Sequence, residues 1–94
     1  MITTIDNARW HRATLQDGDD GVTIVIYRKL ARDDNSLLVE IHREVIDAPF
    51  HLVCDYMHYE MSLLHNDSIT STPATLDKRV RSINGKPRRL GARQ

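Results

Sequence analysis

The stretch that most constrains this chain is PFHLVCDYMHYEMSLLH, residues 49–65. It is the longest apolar-rich run, and no Gly or Pro interrupts it between Pro49 and Pro73. Pro49 suits the first turn of a helix, where its missing N–H costs nothing. At about 100° per residue, Phe50, Val53, Cys54, Met57, Met61 and Leu64 share one broad face. Leu52, Tyr56, Tyr59 and Leu63 share a second. His51, Asp55, His58, Ser62 and His65 form a polar stripe between the two, with Glu60 roughly opposite it. A helix of this length reaches about 25 Å, enough to cross a small sheet. One sheet covers one apolar face, so the other needs the C-terminal segment, a second copy of the chain or a different protein. Tyr56, Tyr59 and Leu63 are accordingly expected to form a self-association or partner face, with a homodimer as one outcome.

The sheet has to come from upstream. Residues 22–30, VTIVIYRKL, are nearly all β-branched or aromatic over their first six positions, which favours a strand. Both of its faces are largely apolar, which places it centrally. Residues 36–46 alternate, with Leu37, Val39, Ile41 and Val45 expected to point inward and Glu40, His42 and Glu44 outward. Residues 8–16 are read as a further strand, with residues 1–7 as a short extension of it. DGDDG at 17–21 and ARDDN at 31–35 supply turn chemistry. The expected fold is α+β: a three-stranded antiparallel meander (8–16, 22–30, 36–46) packed by the long helix 49–65. Thr72 then reads as an N-cap and Pro73 as the first residue of a short basic helix, 73–83. Asn84-Gly85 stops that helix, and a flexible basic tail is expected at 86–94. Residues 1–85 are expected to form one compact domain, since a chain of 94 residues holds a single core.

The formal net charge is zero, but the charges are segregated. Residues 1–77 carry six Lys/Arg against thirteen Asp/Glu, and residues 78–94 carry seven Lys/Arg and no acid. An acidic body with a basic end suggests an interaction segment. Lys78, Arg79, Arg81, Lys86, Arg88, Arg89 and Arg93 can neutralise phosphates and release counterions. No aromatic residue is interleaved among them, so base stacking and sequence-specific readout are not expected. The rival use of charge lies in the loops. There Asp17, Asp19, Asp20, Asp33 and Asp34 can imitate nucleic-acid phosphate against a basic groove on a protein. The two loops fall at opposite ends of a meander, so these aspartates do not form one cluster.

The remaining constellations give no enzyme. His51, Asp55 and His58 share a helix face, but structural zinc sites want four ligands, often thiolates, at characteristic spacings. The chain has one cysteine, which rules out an internal disulfide and fits a cytoplasmic location. Cys54 lies in mid-helix facing the expected core, poorly placed as a nucleophile. DGDDG lacks the EF-hand spacing and a distal bidentate glutamate. On those grounds no metal or other cofactor is expected, and no membrane partner either, because no uncharged apolar run approaches the roughly 18 residues of a spanning helix. The small size and economy resemble those of accessory proteins of phages and mobile elements. The sequence reading is therefore a non-enzymatic module that docks on a nucleic acid or nucleoprotein through its basic end. The alternative is a protein-binding inhibitor or regulator that uses acidic loops.

Overall fold

A computed structural model describes residues 1–81 of the chain. It is an α+β fold: a four-stranded antiparallel sheet carrying two helices on one face. The strands are β1 (Ile2–Ile5), β2 (His11–Gly18), β3 (Gly21–Lys29) and β4 (Leu38–Ile46), and their order in the sheet is the order in the chain. The helices are α1 (Phe50–Asp67) and α2 (Pro73–Arg81).

The expected meander is present as β2–β3–β4, with one strand added. Residues 1–7 do not extend β2; Ile2–Ile5 turn back and pair with it, Ile5 opposite Ala13 and Ile2 opposite Gln16. Residues 8–10 are a connection rather than strand. Ala8 is nonetheless buried there, which explains why the segment looks apolar enough to be a strand.

Strand parity sets the core. Ala13, Leu15, Val22, Ile24, Ile26 and Ile46 turn to the helix side and are essentially inaccessible. Val53, Met57, Met61 and Leu64 of α1 meet them. Each such side chain contributes about 1.5–3 kcal/mol through burial. α1 lies over β1, β2 and β3, and α2 lies over β3 and β4, adding Leu76 and Val80 to the same core. Arg79 and Val80 line a small crevice with Met57, Glu60, Met61 and Leu64 of α1. Pro49 caps α1 from outside with extended backbone (φ −59°, ψ 134°) instead of entering its first turn. The Thr72 hydroxyl accepts a hydrogen bond from the Thr75 N–H at 3.3 Å, as an N-cap does.

The faces of β4 are the reverse of the sequence expectation at three positions. His42 and Glu44 turn toward the helices, where His42 Nε2 and Glu44 Oε1 lie 3.1 Å apart with side chains 10% and 6% exposed. Val45 is 46% exposed, and Val39 and Leu37 are 44% and 61% exposed. Glu40 does point outward, and Ile41 is half-buried. Two constraints cause the reversal. Ile46 sits opposite Val22 in the core and fixes the parity of the upper strand. The register then shifts, so that Ile26 faces His42 but Tyr27 faces Glu40, which leaves Ile41 as an extra residue. A bulge of this kind exchanges the faces beyond it. Apolar alternation alone carries no mark of either constraint.

The β2–β3 hairpin closes on Gly18 opposite Gly21. Gly21 has φ +128°, and a Cβ there would come within 2.5 Å of the Ile46 carbonyl oxygen on β4. The loop and the β3–β4 pairing both depend on that absent side chain. Gly21→Ala should therefore destabilise the fold by about 2–4 kcal/mol. Gly18→Ala, whose Cβ would meet the Gly21 oxygen at an ordinary 3.6 Å, should cost under about 1 kcal/mol. Urea unfolding monitored by circular dichroism checks the difference.

Candidate nucleic-acid and partner surface

α2 carries the first residues of the basic segment, and the sheet holds it through one carboxylate. Asp77 accepts a hydrogen bond from Arg28 at 2.8 Å and from His11 Nε2 at 2.8 Å. A carboxylate only accepts, so the His11 proton resides on Nε2. Arg28 lies over the Trp10 ring, 5.9 Å from its centroid. Leu76 and Val80 are buried beside this bridge, and their helical spacing leaves Lys78 on the solvent side, where it is exposed. Arg79 is half-exposed and pairs with Asp67 at the end of α1. Arg81 ends α2. Lys86, Arg88, Arg89 and Arg93 lie outside the described residues, as do Ile83, the Asn84-Gly85 stop and the expected boundary between 1–85 and 86–94.

A buried cation, Lys29, stands next to this bridge. Lys29 Nζ donates to the Ala8 carbonyl at 2.9 Å and pairs with Asp6 at 2.8 Å. Its backbone N–H donates to the Trp10 carbonyl at 2.8 Å. Together these contacts pin the 6–10 connection over the end of β3. Sequence reasoning missed both clusters. Their partners are far apart in the chain, His11 and Asp77 by 66 residues and Lys29 and Ala8 by 21, and no spacing rule joins them. The one available signal was the pair Arg28-Lys29 closing an otherwise apolar strand.

His11 is fully buried. Its Nδ1 has no hydrogen-bond partner among the described residues. Burial pushes its pKa below the ordinary 6.5, with Arg28 and Lys29 pushing the same way and Asp77 opposing. The imidazole is therefore neutral in the folded protein near neutral pH.

The remaining sequence candidates are dispersed. Tyr56 is half-buried against the core, Leu63 is half-buried, and Tyr59 is 60% exposed. Among the three, only Tyr59 presents most of its surface to solvent. His51, Asp55 and His58 are all exposed along α1. Among the described residues no three His, Cys, Asp or Glu side chains gather as a metal site would require. Burial raises the Cys54 thiol above its usual range despite hydrogen bonding with Thr3, which disfavours the thiolate a nucleophile needs.

The acidic loops lie at opposite ends of the sheet, as the meander requires. Asp17, Asp19 and Asp20 are exposed at one end. At the other end two aspartates serve the loop itself. Asp33 takes a left-handed backbone (φ 57°), which short polar side chains tolerate. Asp34 accepts from the Ser36 N–H at 2.8 Å and the Ser36 hydroxyl at 2.7 Å, which lowers its pKa.

No helix among the described residues is long and apolar enough to cross a membrane. Searches of family models, curated proteins and solved structures return no match to this chain.

His11 gives a pH test of the α2 anchor. Its pKa is lowered on folding, so below about pH 6.5 the unfolded chain takes up a proton that the folded chain refuses. Stability then falls with falling pH, from near 6.5 down to the folded-state pKa. The melting temperature should drop between pH 7.5 and 5.5. His11→Gln, which keeps a donor for Asp77, should flatten that drop while costing about 1–2 kcal/mol at pH 7.5. Differential scanning calorimetry across the range reads both effects.

Proposed function

We propose that this chain is a non-enzymatic binding module that docks on a nucleic acid or nucleoprotein partner through its basic C-terminal segment. One observation carries the reading. Beyond Leu76 the sequence holds a single acidic side chain, Asp77, and that carboxylate is turned inward, 14% exposed, and spent on His11 and Arg28. α2 beyond Asp77 and the sequence after it therefore make a cationic run with no acidic side chain of its own, in which Arg79 is shared with Asp67 of α1. Seven Lys/Arg in residues 78–94 supply phosphate contacts whose strength falls steeply with salt.

The absence of aromatic side chains from that run supports backbone contact over base readout. Lys78, Arg79 and Arg81 sit on a helix fixed to the core, and Lys86, Arg88, Arg89 and Arg93 extend the run. Tyr59, with Leu63 and Tyr56 beside it, gives a protein component of such a partner an apolar foothold on α1. The loop aspartates of the rival reading are divided between two ends of the sheet, and Asp33 and Asp34 are engaged in their own loop. An acidic groove mimic would need them together.

The test is a salt titration of binding to mixed-sequence duplex DNA and to single-stranded RNA, by fluorescence anisotropy on the full chain. Lys78→Gln combined with Arg88→Gln and Arg89→Gln should weaken binding to both. It should also reduce the slope of log K against log salt by about 2–3 on duplex DNA. Asp19→Asn with Asp20→Asn should leave the slope unchanged. Binding that ignores the three basic substitutions would sink the proposal, as would its absence at low salt.

A further inference from the structure

We propose that the free edge of β4 is a homodimer interface, in which two copies pair their β4 strands antiparallel about a twofold axis between Ile41 and His42. Each Glu40 then lies opposite Arg43 of the other copy, and each Leu38 lies opposite Val45. The proposal goes beyond the nucleic-acid reading and does not depend on it.

The first argument is exposure at an edge. Among the described residues β4 pairs only with β3, which leaves one side of a nine-residue strand without a ladder partner. Proteins usually blunt such an edge by shortness, charged side chains, proline, bulges or cover. The opposite edge, β1, is only four residues long. β4 is not short, and it leaves apolar side chains exposed: Val45 on the outer face, Val39 on the helix side and Leu37 just before the strand.

The second argument is charge complementarity. Glu40 and Arg43 both stand on the outer face of β4, opposite Tyr27 and Val25. Within one chain they form a forked pair, Arg43 donating to the two Glu40 oxygens at 3.0 and 2.8 Å. Edge guards of a single sign repel a second copy. An acid and a base placed symmetrically about a strand centre attract one, because the twofold axis exchanges them. Four charges then alternate across the seam.

The third argument is the bulge. Opposed residues in an antiparallel pair must share a face. Leu38 and Glu40 precede the extra residue Ile41, and Arg43 and Val45 come after it, all four on the outer face. With the axis at Ile41–His42, the extra residue of each strand falls in the same gap. The outer residues on both flanks stay in phase, Leu38 with Val45 and Glu40 with Arg43. The bulge that would disrupt pairing with a regular strand is matched by its own copy.

The test is the mass of the full chain by sedimentation equilibrium, from a few to about 100 μM, a range that covers weak assembly. The wild type should reach the dimer mass. Glu40→Arg, which sets Arg against Arg43 of the second copy, should halve that mass at the same concentration, and adding Arg43→Glu should restore it. The pair is exposed, and such pairs contribute little to folding, so the single variant should melt near the wild type. Hydrogen exchange of the unmodified protein is the independent arm: β4 amides should exchange faster on dilution, and α1 amides should not. A monomer across the range overturns the proposal. So does a dimer that survives Glu40→Arg, a reversed pair that stays monomeric, or dilution-sensitive exchange confined to α1.

Discussion

The arrangement of this molecule depends on one carboxylate that bridges a helix to a sheet. Asp77 accepts from His11 on β2 and Arg28 on β3, and so fixes α2 across two strands rather than one. Removing Asp77 would leave His11 Nε2 and the Arg28 guanidinium without their shared acceptor at a partly desolvated site. Hydrogen bonds to charged groups contribute about 1.5–3 kcal/mol each. The apolar contacts of Leu76 and Val80 give α2 adhesion, and Asp77 gives it register. With that register set, Lys78 faces solvent and Arg79 reaches Asp67.

The sheet and α1 form a second, more conventional tier. Alternate residues of β2 and β3 meet Val53, Met57, Met61 and Leu64 of α1, a packing that the hydrophobic periodicities of both segments specify. The two tiers divide the labour on one face of the sheet: α1 closes β1 to β3, and α2 closes β3 to β4. The other face of the sheet carries no helix among the described residues, and its polar rows suit it to water. Thr4, Thr14, Val25 and Arg43 form one such row, and Ile2, Gln16, Thr23 and Val45 another. Val25 is shielded there, in the centre of the sheet among longer neighbours.

Much of this was legible in the residues. VTIVIY announces a central strand, the unbroken run 49–65 announces a helix with more apolar surface than a single sheet needs, and Thr72-Pro73 announces the start of α2. What was not legible depended on contacts between distant parts of the chain. β1 is four residues long and becomes a strand only because β2 offers an edge. His42, Glu44 and Val45 were assigned to the wrong faces because Val45 looks like a core residue in any periodic reading, whereas a bulge at Ile41 and the burial of Ile46 decide the parity. The His42–Glu44 pair was placed outside for the same reason, since charged groups are expected in water unless a partner is known. On the candidate surface, the net basic charge of residues 78–94 was visible from composition. That Asp77, just before them, is neutralised by the sheet was not, because its partners lie 66 and 49 residues away.

The central claim is that α2 and the residues after it form the phosphate-contacting surface, held to the body by Asp77. The most direct measurement is backbone amide chemical-shift mapping of the isotopically labelled full chain, titrated with a short mixed-sequence oligonucleotide at low salt. The account predicts shifts concentrated on Lys78, Arg79, Arg81 and the basic residues beyond them, with the Asp19-Asp20 turn and the outer rows of the sheet unmoved. Shifts centred on Arg12, Tyr27 and Arg43 of the outer sheet face, or none at any position, would contradict it.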